Sequence, residues 1–138
     1  MTGVSPGILR RIAGMAYEAL LLSGILLISL IFPHLLIGAF SGHVASPALL
    51  WAHLFLILFV YFVGFWSHGG QTLAMKTWRI RLVSNSGQAV SPGQALRRFL
   101  WCWPSFALCG IGLLWVFFDR DRQFLHDRIA GTRLVAVP

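Results

Sequence analysis

The sequence predicts an all-α membrane protein: three hydrophobic helical segments, the third broken or kinked, with a small cytoplasmic β-hairpin paired with a C-terminal strand. Three observations predict it. Of 138 residues, 57% are hydrophobic and 11% charged, and so small a chain cannot bury that much apolar surface inside itself. Apolar runs recur at about 20 residues, the length a helix needs to cross a ~30 Å hydrocarbon layer at ~1.5 Å per residue. The Lys and Arg residues lie between and beside those runs, as in loops held at the cytoplasmic face.

One domain covers 1–138. The first span is expected at 12–32, preceded by Arg10 and Arg11 and carrying one ionisable residue, Glu18. A cleaved signal peptide has a shorter apolar core and a small-residue cleavage site, so this segment reads as a permanent helix. Pro33, Gly38, Gly42 and Pro47 punctuate the uncharged stretch that follows, either as a short outer loop or as an extension of the first helix. The second span, 48–67, has no formal charge and carries Trp51 and Trp66 near its ends, where indole rings favour the headgroup level.

The loop at 68–98 contains Lys76, Arg79, Arg81, Arg97 and Arg98 and no acidic residue. Together with Arg10 and Arg11 it places the loop and the N-terminus in the cytoplasm. Within it, WRIRLV alternates apolar and basic residues, NSGQ supplies a turn, and AV returns, which predicts a hairpin. Ser91 then caps a helix with Pro92 in its first turn. The third apolar run, 99–118, is interrupted by Pro104, Gly110 and Gly112. The charged tail, 119–138, ends in the strand-like RLVAV. Three plain crossings put this tail outside. Its arginines, and a pairing of RLVAV with WRIRLV, put it inside, and the charge rule favours that placement. An inside tail requires the third segment to be broken or re-entrant.

Glu18 is the most informative single residue. It lies seven residues beyond Arg11, on nearly the same helix face and ~10 Å deeper along the axis. A carboxylate in the hydrocarbon costs on the order of 3 kcal/mol unless it protonates, pairs with an arginine or touches water. Pairing with Arg11, Arg128 or another arginine makes it packing glue; protonation or water contact makes it a carrier. In the tail, His126, Asp127 and Arg128 gather where the chain returns to the membrane surface. There Asp127 is within reach of an arginine near the first helix, and His126 is expected to titrate near neutral pH, or the group is an interfacial salt-bridge cluster.

Other chemistry finds no support. Cys102 and Cys109 are two helical turns apart and read as small packing residues. His34, His43, His53 and His68 are scattered without ligand spacing, so no metal site or cofactor is expected. No nucleophile–base arrangement or phosphate-cradling glycine loop appears, so an enzyme is not expected, and the dispersed charge argues against nucleic acid.

Three pieces carry a family resemblance: RRIAGMAYEALLL, GGQTLAMKTWRIRLVSNSGQAVSPGQALRRF and FDRDRQFLHDRIAGTRLV. On these the chain resembles the RDD family of bacterial membrane proteins, named for one arginine and two aspartates. The resemblance implies that the arginine falls on Arg11 or its neighbour Arg10, the first aspartate on Glu18 and the second on Asp127. Glu18 departs from the pattern by one methylene. The family's loop usually looks like TPGKRLLGLRVV; here TLAMKTWRIRLV keeps Thr72 and Lys76 and loses the Pro and Gly. The family implies a transport-related role, with cation/proton exchange among the proposals.

The expectation is therefore a multi-pass protein of the bacterial inner membrane, with Arg11, Glu18 and Asp127 clustered at its cytoplasmic end. Glu18 would exchange a proton or monovalent cation, and a homo-oligomer would enclose the path. The alternative is a non-transporting accessory or scaffold protein whose basic loop binds anionic lipid headgroups or a partner subunit.

Overall fold

The computed structural model describes residues 4–107, 114–119 and 123–138. Helix α1 (Ile8–Leu26) runs through a π turn (Leu27–Ile31) straight into α2 (Phe32–Ser41), forming one 34-residue helix, Ile8–Ser41. Pro33 does not end the first span: the π turn just before it changes the hydrogen-bonding pattern where the residue without an N–H enters the helix. The helix stops at Gly42, whose left-handed backbone (φ +70°) lets its N–H close on Gly38 O at 2.9 Å. Helix α3 (Pro47–Ser67) then returns, capped by the Ser46 hydroxyl, which accepts from Leu49 N at 3.3 Å.

These two helices are long and apolar enough to cross a membrane, and little of either is covered by protein. Leu20, Ile28, Leu35 and Phe40 on the first, and Trp51, Leu56 and Val60 on the second, stand exposed. In water such continuous apolar surface would drive aggregation, whereas acyl chains cover it at no cost.

Among the described residues two helices have the length and apolarity of a span, and the expected third segment, 99–118, falls partly outside those residues. Helix α5 (Pro92–Ala107) begins in the polar loop and carries Pro104 inside it, and Trp115–Phe117 is a single 3-10 turn. The expected interruption at Gly110 and Gly112, and Cys109, lie outside the described residues. Helix α5 packs along α3 through Phe99, whose ring meets Phe55, Phe59 and Phe62 at 5.3 to 6.4 Å.

The remaining elements cap one end of the helix pair. They are α4 (Leu73–Thr77), strand β1 (Ile80–Ser84), α6 (Leu125–Ala130) and strand β2 (Thr132–Ala136). The strands pair antiparallel, with Leu82 opposite Leu134, so WRIRLV and RLVAV meet as their alternation predicts. The hairpin within the loop does not form. NSGQ does turn, with Gly87 N bonded to Ser84 O at 2.8 Å, but Ala89 and Val90 make no strand. Val90 instead enters the core with Trp66, Leu82, Phe99, Phe124 and Leu134, while Ser91 caps α5 by accepting from Gln94 N at 3.2 Å. The cap also ties in the N-terminal lead, because Ala136 N donates to Val4 O at 2.9 Å.

Candidate functional site

Where the cap meets the helix pair lies a cavity of about 370 Å³, walled by apolar side chains from α1, α3 and α5 and entered by the polar groups of Arg11, Glu18, Thr72, Arg98 and His126. Each polar group is delivered by a different local device. Arg11 and Glu18 share a face of α1. Thr72 is the cap residue of α4, its hydroxyl accepting from Met75 N at 3.3 Å. The six-residue α6 turns His126, Asp127 and Ala130 inward together.

Glu18 is held by hydroxyls. One carboxylate oxygen accepts from Tyr61 OH at 2.6 Å and the other from Thr72 Oγ1. Among the described residues no cation lies within ion-pair distance of it. The Thr72 hydroxyl therefore does two jobs, receiving the α4 backbone and donating to a carboxylate 54 residues away. Burial of a carboxylate is tolerated when both oxygens are bonded, and neutral donors do this without fixing a counter-charge.

Asp127 is held differently. Its Oδ1 accepts from Arg98 Nε at 2.6 Å with both side chains buried, and the Arg98 guanidinium lies 4.2 Å over the Trp66 ring. The charge-assisted bond and the stacked face together make this a fixed pair. His126 Nε2 is 3.9 Å from the same oxygen, with its ring stacked on Phe124. Burial pushes the His126 imidazole down to about 4, with Arg98 adding to the depression and Asp127 opposing it. The expected titration near neutral pH is thereby corrected: desolvation outweighs the neighbouring carboxylate.

Arg11 is buried, donating from Nε to Pro6 O at 3.1 Å and from Nη2 to the Ser5 hydroxyl, with its guanidinium 5.6 Å from the Phe124 ring. It attracts Asp127 at longer range. Arg10 is exposed one residue away, Lys76 is exposed on α4, and Arg128 points outward to Asp119 at 2.8 Å. The structure thus brings Arg11, Glu18, Thr72 and His126 to one cavity, sets Asp127 behind it on Arg98, and leaves Arg10, Lys76 and Arg128 outside. Sequence reasoning missed Arg98, Tyr61 and Trp66. The hydroxyl of Tyr61 within a charge-free span, and an arginine abutting the third apolar run, were the signals that could have found them.

Two apolar helices are thus capped by a charged cluster, and the RDD family pattern matches residues 5–131. The chain belongs to the RDD family. It is also 30% identical over 105 residues to an uncharacterized protein of Rickettsia prowazekii (strain Madrid E), a match covering 75% of this chain. The chain spans 58% of that relative's length. No solved structure matches significantly. Within this RDD protein, the three residues singled out from the sequence have different partners: Arg11 bonds the N-terminal lead, Glu18 two hydroxyls and Asp127 a further arginine.

Proposed function

We propose that this RDD protein lies in the bacterial inner membrane with its cap in the cytoplasm and exchanges protons or monovalent cations through Glu18. One observation carries the reading: the carboxylate on a membrane-capable helix lines a cavity and is bonded by neutral hydroxyls, while the nearby arginine is committed to Asp127. A carboxylate bonded by hydroxyls can take a proton or alkali cation and give it up, since neither step leaves a buried counter-charge unpaired. Tyr61 and Thr72 would follow the change by rotating their hydroxyls. Two or three spanning helices cannot enclose an aqueous path, so the exchanging unit is a homo-oligomer.

Flux in proteoliposomes tests this. Wild type should dissipate an imposed proton, sodium or potassium gradient, Glu18→Gln should abolish the flux, and Glu18→Asp should keep part of it. A wild type that leaves every gradient intact overturns the proposal.

A second reading rests on Lys76, Arg79, Arg81 and Arg97, four cations exposed on the cap. Such a surface attracts anionic headgroups by about 1 kcal/mol per charge and suits an accessory subunit. Under this reading wild type carries no flux, and neutralising these four residues releases a partner or lowers affinity for anionic vesicles.

A further inference from the structure

The two membrane-capable helices also meet at a pair of histidines that exchange at Glu18 does not use. His34 Nε2 lies 3.0 Å from His53 Nδ1, with the rings tilted by 67° and their centroids 5.2 Å apart. His34 follows the π turn and Pro33 directly, and π turns inside helices recur at functional sites. Seven residues separate His34 from Ser41, and six separate Pro47 from His53, so each ring sits ~10 Å inside the helix ends opposite the cap. Both residues are half-buried.

Among the described residues, no charged side chain is placed beside the pair. No Asp, Glu, Lys or Arg occurs between Glu18 and Lys76. On α3, Tyr61 lies eight residues (~12 Å) inward and is bonded to Glu18. On α5, Cys102 precedes Trp103, whose ring stacks on Phe55, and Arg97 and Arg98 lie further toward the cap, where Arg98 sits over Trp66, ~20 Å along α3 from His53. On the first helix and the turn after it, Ser29 bonds Ile25 O and His43 bonds Ser41 O at 2.8 Å.

Two facing ring nitrogens at this distance require one to donate and the other to accept, because a neutral imidazole carries one N–H. A proton arriving at the outer nitrogen of the donating ring makes it an imidazolium. The N–H between the rings can then pass to the accepting ring, breaking one N–H and making another. The accepting ring is left as the imidazolium, and it returns to neutral by losing the proton on its own outer nitrogen. Each ring supplies the partner that an imidazolium near hydrocarbon otherwise lacks, and imidazole is the side chain whose charge changes between about pH 5 and 8.

We infer that His34 and His53 form a proton-binding pair that takes up one proton between two rings, near the membrane face opposite Glu18. The inference rests on the two helices being spans and not on exchange at Glu18. Histidine-labelled full-length protein in lipid nanodiscs tests it, with imidazole 15N shifts followed from about pH 8 to pH 5. The two rings should change together as a one-proton step, and His53→Asn should move the His34 midpoint by about one pH unit. Neutral signals from both rings across that range, or separate titrations that ignore the partner's substitution, would overturn it and leave the pair as packing glue. Should a variant misfold, the wild-type curve alone separates a shared one-proton step from two neutral rings. Because the readout is protonation, an absence of flux through Glu18 leaves this result standing.

Discussion

Arg98 Nε and Asp127 Oδ1 lie 2.6 Å apart although 29 residues separate them, and their side chains are only 6% and 1% exposed. Removing one partner of such a pair strands a buried charge. Asp127→Asn and Arg98→Met are each expected to cost about 3 to 5 kcal/mol of stability, and Arg98→Met combined with Asp127→Leu should recover most of that loss. Urea or thermal unfolding in detergent checks this as a double-mutant cycle, where additive losses would show that the two side chains do not act as a unit. Arg98→Lys should also destabilise, since an ammonium cannot both bond Asp127 and lie flat on Trp66.

Gly70 supports the same cap from the backbone. It adopts φ +70°, and a Cβ there would meet Leu82 O at 2.3 Å, beside the 2.7 Å bond from Leu82 N to Gly70 O. Gly70→Ala is therefore expected to lose more than about 2 kcal/mol, because the conformation and the contact both oppose a side chain. Gly93→Ala, with nothing within 4 Å of the added carbon, should be neutral or slightly stabilising. Comparing the two thermal midpoints checks the pair of predictions.

Much of this was legible because it is local. Ser46 and Ser91 announce their helices by capping, the alternation in WRIRLV and RLVAV sets the sheet, and a charge-free run reveals α3. The site was half legible. Glu18 stands out by its cost in lipid, but its partners, Tyr61 and Thr72, lie 43 and 54 residues away and are chosen by packing. Whether Arg97 or Arg98 faces inward depends on the phase of α5, which adjacent identical residues do not disclose. The continuation of the first helix past Pro33 is not written in the residues, since a π turn is a change of hydrogen bonding with no side-chain signature.

His126 gives the cap a pH dependence of definite sign. Its folded-state value is pushed down to about 4 from an ordinary 6.5, chiefly by burial, so at low pH the unfolded chain binds a proton that the folded chain refuses. Its contribution is fully present above about pH 6.5 and is lost as pH falls from there towards 4, amounting to on the order of 3 kcal/mol. Thermal midpoints of the detergent-solubilised protein should fall across that window in wild type, and more shallowly in His126→Gln. An equal slope in both would assign the acid loss elsewhere.

The pairing of β1 with β2 fixes which segments share a face. Strand β2 bonds β1 along its length, and Ala136 N also donates to Val4 O, so the N-terminal lead, the basic loop and the C-terminal tail stand at one end of the helix pair. The turn between Ser41 and Pro47 stands at the other. In a cysteine-free background, Ser86→Cys and Val137→Cys should react with a membrane-impermeant maleimide from the same side, and His43→Cys from the opposite side. Three plain crossings demand the reverse for Val137, and they would also tear β2 from β1 and Asp127 from Arg98. Labelling of Val137→Cys and Ser86→Cys from different sides would therefore remove the cap and the cavity together.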